Sequence, residues 1–132
     1  YWTDFVFEGV MRVRGRTARV FLLYPPETFA TRHPNLTGVR VYLDLEYGAM
    51  VQAEQLGAEG RTVKTMTVID LKKVGERWIV KSIDLRNEAT RDKTRFAVTG
   101  AAVDARFAAR VFLPESLGET VSLPAQIEPV TP

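Results

Sequence analysis

The segment Arg61–Asn87 constrains the fold of this chain more than any other part of the sequence. It contains two runs rich in Val, Ile, Thr and Trp, and the short segment Lys73–Glu76 separates them. This pattern predicts two antiparallel strands joined by a tight turn, which we place at Val74 and Gly75. Each face of the hairpin is apolar over only part of its length, and an isolated two-stranded ribbon buries neither face. Further strands must therefore pack beside it.

The composition limits the functions that this chain can have. Its 132 residues include no Cys and one His, which excludes disulfides, thiolate metal sites and Cys nucleophiles. Acidic and basic residues are interleaved, and the net charge of +2 does not indicate a polyanionic partner such as nucleic acid. No apolar run approaches the roughly 18 to 20 residues of a membrane span, so we expect no transmembrane segment. We expect no cofactor and no bound metal.

The ends of the sequence also carry expectations. The chain starts inside an apolar segment, and Tyr1–Asp4 lacks the pattern of a signal peptide, so we expect it to be part of a larger chain. Its length suits one domain, and we assign residues 1–117 to a single antiparallel β domain. Residues 118–132 are rich in Pro and are expected to form an edge strand near residues 120–123 and then a frayed tail.

Strand-like segments recur along the chain at spacings of about 8 to 12 residues. No helix between them is long enough to cross over between parallel strands. Residues 49–56 suit a helix or a strand, and we choose a strand because they are few and lie between two turns. The sequence thus predicts a mainly β protein with seven or eight strands in an antiparallel sheet, either strongly curved or closed, and helical turns near Glu27 and Pro114. Besides the hairpin, the predicted strands are residues 2–14 with a β-bulge at Gly9, 17–24, 39–46, 49–56, 94–102 and 120–123.

The clearest alternation of apolar and polar residues lies in Val39–Glu46. Because successive side chains of a strand point to opposite faces, this strand is predicted to have one core face and one wet face. The predicted core residues are Val39, Val41, Leu43 and Leu45, and the predicted wet residues are Arg40, Tyr42, Asp44 and Glu46.

No set of residues suggests catalysis. His33 has no second His or Cys as a partner and is interpreted as an exposed loop residue. Asp44 and Glu46 could share a proton or bind a cation, but we favour solvated side chains because no calcium-loop pattern surrounds them. The serines lack a Gly-x-Ser-x-Gly context, so an enzyme is the least favoured class.

Basic residues cluster around the first predicted turn, and aromatic residues are interleaved with them. Such a strip is also found in proteins that bind single-stranded nucleic acid, although a solubilising sheet edge is the interpretation that we favour. The residues concerned are Arg12, Arg14, Arg16 and Arg19, with Phe5, Phe7 and Phe21.

Several short motifs follow one another in an order that suggests a known family. They are Val41–Asp44, Gln52–Glu54, Gly60–Arg61, Lys64–Thr65 and Gly75–Ile79, preceded by the strand sequence GRTARVFLLYPPE. Over residues 9–117 this pattern resembles the C-terminal half of the LolA-like outer-membrane lipoprotein-sorting family. The resemblance implies an unclosed, strongly curved antiparallel sheet, a half-barrel, whose concave side receives the acyl chains of lipids or lipoproteins in the periplasm.

The resulting hypothesis is a non-enzymatic periplasmic carrier domain that holds acyl chains in an apolar groove. Two alternatives stay open: a structural or protein-interaction β module of the cell envelope, which would use an exposed sheet edge, and a nucleic-acid-binding β-barrel. No functional residue of the family is carried over. The residues expected near the groove are Phe7, Met66, Val68, Leu71, Trp78 and Val80.

Overall fold

A computed structural model describes residues 2–122, 124 and 131 of the chain. It contains a seven-stranded sheet in which each strand is hydrogen-bonded to its neighbours in the sequence, in the order β1 to β7. β1 and β7 stand at opposite ends of this order, so the sheet is open and the closed alternative is wrong. The predicted mainly β fold with an antiparallel, unclosed sheet is confirmed. The strands are β1 Phe5–Val13, β2 Arg16–Leu23, β3 Gly38–Asp44, β4 Met50–Leu56, β5 Thr62–Val74, β6 Arg77–Asn87 and β7 Lys93–Ala97.

In the described residues, helical structure is confined to short turns. The helix α1 spans Glu27–Ala30, and short 3-10 helices span Ala58–Gly60, Ala109–Phe112 and Pro114–Ser116. The helical turns predicted near Glu27 and Pro114 are therefore confirmed. In the part of the chain that the structure describes, no helix is long and apolar enough to cross a membrane.

The chain divides into two compact units. The first consists of Tyr1–Asp70 and Ser82–Ala97, and it contains most of the sheet. The second consists of Leu71–Lys81 and Val98–Pro132, and it contains the tip of the β5–β6 hairpin. A single domain over residues 1–117 stays a prediction.

Most predicted strands are present, and two local features follow the sequence closely. The pairing of β1 with β2 shifts register between Phe7 and Gly9, which confirms the β-bulge. The choice of a strand for residues 49–56 is confirmed by β4. β7 is shorter than predicted because a bend at Thr99 ends the pairing with β6. Residues 120–122 belong to no strand, and Leu123 and most of the predicted tail lie outside the described residues.

The turn of the central hairpin lies one residue later than predicted. β5 continues through Val74, and the turn consists of Gly75 and Glu76. Gly75 has a φ angle of +59°, a left-handed conformation that glycine adopts without the steric cost that a side chain would add. The position of this glycine, rather than the boundary of the apolar run, sets where the strands reverse.

One face of the sheet, which we call the core face, contains the buried residues of the first unit. Val20 lies opposite Tyr42 in the register of β2 and β3, and Ala18 lies opposite Asp44. Ala18 and Val20 are completely buried, and Val13 and Val51 pack with Val20 and Tyr42 in one cluster. The core of this unit is therefore small and includes polar groups.

The core and wet faces of β3 are the reverse of the prediction. Tyr42 and Asp44 are only 7% and 4% exposed, whereas Val39, Val41 and Leu43 are half-buried on the other face, and Leu45 is 44% exposed. The physical reason is that residues of neighbouring segments satisfy the polar groups, so that their burial leaves no hydrogen-bonding group unpaired.

Candidate functional site

The first unit contains an apolar hollow of about 610 Å³. Strands β3 to β6 and the start of β7 provide its lining. Its volume lies within the range of roughly 300 to 1,000 Å³ that is usual for small-molecule sites. Its apolar lining residues are Val39, Val41, Met50, Ala53, Met66 and Leu85.

The floor of the hollow is part of a row of side chains that crosses five strands. Directly opposed residues in an antiparallel sheet point to the same face. The registers therefore place on one face, which we call the apolar face, the row Phe7, Phe21, Val41, Ala53 and Met66. Val41, Ala53 and Met66 line the hollow. On β1 and β2 the row continues as the rings of Phe7 and Phe21, whose centroids lie 5.3 Å apart. Every member of the row is apolar.

The six predicted groove residues fall in different places. Met66 lines the hollow, and Val68 lies two residues further along β5, where it is half-buried. Phe7 belongs to the same row as Met66 but is 53% exposed. Leu71, Trp78 and Val80 belong to the second unit. Contact of these six residues with a ligand stays a prediction.

Sequence reasoning missed most of the lining residues. Val39 and Val41 were recognised as one face of a strand but were assigned to the core and not to a ligand site. Ala53 gave no signal, because its segment was ambiguous between helix and strand. Pairing registers bring these residues together, and a single sequence does not show registers.

One edge of the hollow is polar. Gln55 lies opposite Lys64 in the register of β4 and β5, and both line the hollow. Asn87 and Asp92 also line it, and the backbone N–H of Asn87 donates to the carbonyl oxygen of Asp92 at 2.9 Å. We call Gln55, Lys64, Asn87 and Asp92 the polar edge. The hollow therefore has an apolar end and an end with amide, ammonium and carboxylate groups.

Comparison with known proteins identifies the family and the fold. Residues 25–119 match the model of a protein family described as "Uncharacterized protein". The chain belongs to this family. No curated protein sequence matches it.

Three solved structures share the fold. A domain from Vibrio parahaemolyticus described as an outer membrane lipoprotein-sorting protein domain has a TM-score of 0.56 at 18% identity, over 74% of this chain and 43% of its own. A DUF1329 family protein from Desulfovibrio piger has a TM-score of 0.63 at 13% identity, over 86% of this chain and 46% of its own. A LolA superfamily protein from Nitrosomonas europaea has a TM-score of 0.57 at 11% identity, over 86% of this chain and 50% of its own. The fold is therefore LolA-like, as the resemblance implied, and the chain spans half or less of these three proteins.

The core face of this LolA-like sheet contains a hydrogen-bonded polar network. The Nε atom of Arg40 donates to Glu8 at 2.5 Å, and its Nη1 atom donates to Glu54 at 3.2 Å. The hydroxyl group of Tyr42 and the amide of Gln52 both donate to the other oxygen of Glu54, at 3.1 and 2.7 Å. Desolvation, together with the Glu54 carboxylate, raises the pKa of Tyr42 to about 12, and the hydrogen bond with Glu8 raises the pKa of Arg40. The phenol therefore stays neutral at physiological pH.

Asp44 forms a second polar centre on the core face, and it is not the solvated side chain that the sequence suggested. Arg16 donates to its carboxylate at 2.5 Å, and the backbone N–H groups of Glu46 and Tyr47 donate to it at 2.9 Å each. The hydrogen bond from Arg16 lowers the pKa of Asp44 to about 2, and the two backbone donors add to this effect. The carboxylate therefore caps the turn that follows β3.

Other predicted sites have similarly local explanations. Within the described ranges no cluster of three His, Cys, Asp or Glu residues suits a metal ion. His33 is exposed, and its ring lies 4.4 Å from the ring of Phe29. Arg16 belongs to the ion pair with Asp44 and lies over the ring of Tyr47 at 4.9 Å, so it does not join the other arginines in a free basic strip.

Proposed function

We propose that this chain is a non-enzymatic periplasmic carrier domain that binds the acyl chain of a lipid or lipoprotein in its apolar hollow. The observation that carries the proposal is the five-strand apolar row, three members of which line a hollow of about 610 Å³. Transfer of an acyl chain from water to such a site is favourable by about 0.8 kcal/mol for each buried methylene group. A hollow of this kind works by its shape and dryness and needs no reactive group.

The comparisons support this proposal through the fold. The Vibrio parahaemolyticus domain is described as belonging to outer membrane lipoprotein sorting, and the Nitrosomonas europaea protein as a LolA superfamily member. Because the chain spans 43 to 50% of the length of these structures, the activity of a whole protein is part of the proposal. The proposed partners are a lipid or lipoprotein acyl chain and other envelope proteins, and we expect no nucleic acid.

The substitution Ala53→Trp tests the proposal. Ala53 lies in the apolar row on the floor of the hollow, so an indole at this position fills space that a ligand would occupy. We expect the wild-type chain to take up an uncharged fluorescent alkyl probe and Ala53→Trp to lose at least tenfold in affinity. Native mass spectrometry of gently purified protein should show a co-purifying lipid with the wild type and a smaller amount with the variant.

Ala97→Trp is the matched control. Ala97 is exposed on β7 and does not line the hollow, so the same change in size should leave probe uptake unchanged. Thermal unfolding of both variants separates a filled hollow from a misfolded sheet. A wild-type chain that takes up no probe and carries no lipid would refute the carrier proposal.

The open edge of the sheet favours a second candidate function. All five residues of β7 are exposed, and β7 is the last strand of the sheet order. An unpaired edge can accept a strand from another protein, as in β-augmentation. A partner that binds equally well to the wild type and to Ala53→Trp, with no lipid in either sample, would favour this envelope interaction module.

A further inference from the structure

We infer that the hollow binds a lipid with an anionic headgroup, and that Lys64 is the residue that holds this headgroup. The inference rests on the proposed function and adds the chemical class and the orientation of the ligand. The tail would lie against Val41, Ala53 and Met66, and the headgroup would lie at the polar edge.

The placement of Lys64 fixes the orientation of the ligand. Lys64 precedes Met66 by two residues on β5, so both side chains point to the same face of the sheet. Both residues line the hollow, and Gln55 lies directly opposite Lys64 on β4. A ligand with its tail over Met66 therefore has its headgroup within reach of an ammonium group and an amide.

Lys64 is available for such a contact. Among the described residues, no carboxylate lies within 4.0 Å of its ammonium group, whereas Arg86, which also lines the hollow, is paired with Glu88 at 3.3 Å. An exposed ammonium group without a partner at the end of an apolar site is complementary to a carboxylate or phosphate headgroup.

The carboxylate of Asp92 does not cancel this charge. Asp92 immediately precedes β7, and Lys64 lies on β5, with β6 between them. Two strand spacings separate their backbones by about 9 to 10 Å. This separation is close to the Debye length of roughly 8 to 10 Å at 0.10 to 0.15 M salt, and salt at this concentration weakens the mutual effect of these exposed charges. An anion in direct contact with Lys64 experiences mainly the ammonium group.

The test compares two ligands that differ only in their headgroup. Palmitate and 1-hexadecanol have the same chain length, and each is titrated to displace an uncharged fluorescent probe from the full chain. Lys64→Ala should weaken palmitate binding by roughly two- to fivefold at low salt, the range expected for an exposed ion pair, and leave 1-hexadecanol binding unchanged. The loss should disappear near 1 M salt, where the Debye length is about 3 Å.

Two control variants accompany this measurement. Lys64→Arg retains the charge and should bind palmitate nearly as well as the wild type. Lys72→Ala removes an exposed lysine of the same strand that belongs to the second unit and should change neither affinity. Acetate alone should not displace the probe, because the site requires the chain as well as the anion.

Each contrary outcome has a defined meaning. If 1-hexadecanol binds but Lys64→Ala does not weaken palmitate binding, the inference about the headgroup is refuted and the carrier proposal stands. An equal loss for both ligands would show that Lys64 contributes only its methylene groups, which also refutes the inference. If neither ligand displaces the probe from the wild type, both proposals fail.

Discussion

Replacing Tyr42 with Phe tests the polar network of the core face. The substitution removes one hydroxyl group from a side chain that is 7% exposed and keeps its ring. Glu54 loses the hydrogen bond at 3.1 Å but retains those from Gln52 and Arg40, so no carboxylate oxygen becomes unpaired. The cost should therefore be that of one hydrogen bond to a charged group, at the lower end of the usual range, about 1.5 kcal/mol.

This cost can be measured by urea unfolding at pH 7, followed by Trp fluorescence. With a denaturant dependence of about 2 kcal/mol per molar urea, the midpoint of Tyr42→Phe should lie roughly 0.7 M below that of the wild type. Tyr24→Phe is the matched control, because Tyr24 is 37% exposed and its hydroxyl group should contribute less than about 0.5 kcal/mol. A Tyr42→Phe midpoint that equals the control would refute the reasoning.

The pH dependence of the same variant gives an independent readout. Tyr42 has a pKa of about 12 in the folded chain, against an ordinary value of 10.0, so its contribution to stability is fully present below pH 10. The contribution is lost as the pH rises from 10 to 12, because the unfolded chain releases the proton first. The stability difference between wild type and variant should shrink over this range. The wild type should show a step in phenolate absorbance near pH 12 that is absent from Tyr42→Phe. If the step persists in the variant, it belongs to another tyrosine.

Two further predictions concern the core face. Val20→Ala removes two completely buried methyl groups and should lower the free energy of unfolding, measured by urea unfolding, by about 2 kcal/mol. Val10→Ala is the control, because Val10 is 55% exposed and its truncation should lower this free energy much less. Asp44→Asn should lower the urea midpoint at pH 7, because an amide has one acceptor oxygen and cannot replace both carboxylate oxygens, which accept from Arg16 and from the backbone N–H groups of Glu46 and Tyr47. Asp70→Asn, at an exposed position of β5, provides the comparison. The pKa of Asp44 is about 2 in the folded chain, against an ordinary value of 3.8, so its contribution to stability is present above pH 3.8 and is lost as the pH falls toward 2. The urea midpoints of the wild type and Asp44→Asn should therefore converge near pH 2. A constant separation of the two midpoints would contradict this assignment.

The strands themselves could be predicted because their signals are local. Alternation in Val39–Glu46 and the turn residues around the hairpin identify strands without any knowledge of their neighbours. The bulge at Gly9 could also be predicted, since a glycine that interrupts an alternating run marks a register shift. The hairpin turn was misplaced by one residue, because the apolar run continues through Val74 to the glycine that reverses the chain.

The hollow could be predicted only in part. Met66 and Phe7 were selected for their apolar side chains and belong to one row, but Leu71, Trp78 and Val80 belong to the second unit. The selection relied on hydrophobicity, which indicates that a residue avoids water without indicating which residues it will meet. The registers of two strand pairs, β3 with β4 and β4 with β5, bring Val41 and Ala53 beside Met66. Those registers depend on contacts between different segments of the chain.

The sequence by itself determined that this chain forms an antiparallel sheet, because strand alternation and turn chemistry act over a few neighbouring residues. Only the tertiary structure decided which face of each strand is buried. In β3 the polar residues Tyr42 and Asp44 became the core, since Arg16 and Glu54 from other segments satisfy their hydrogen bonds. Alternation assigned the two valines of the same strand to the core, but they lie on the apolar face, where both line the hollow proposed to bind lipid.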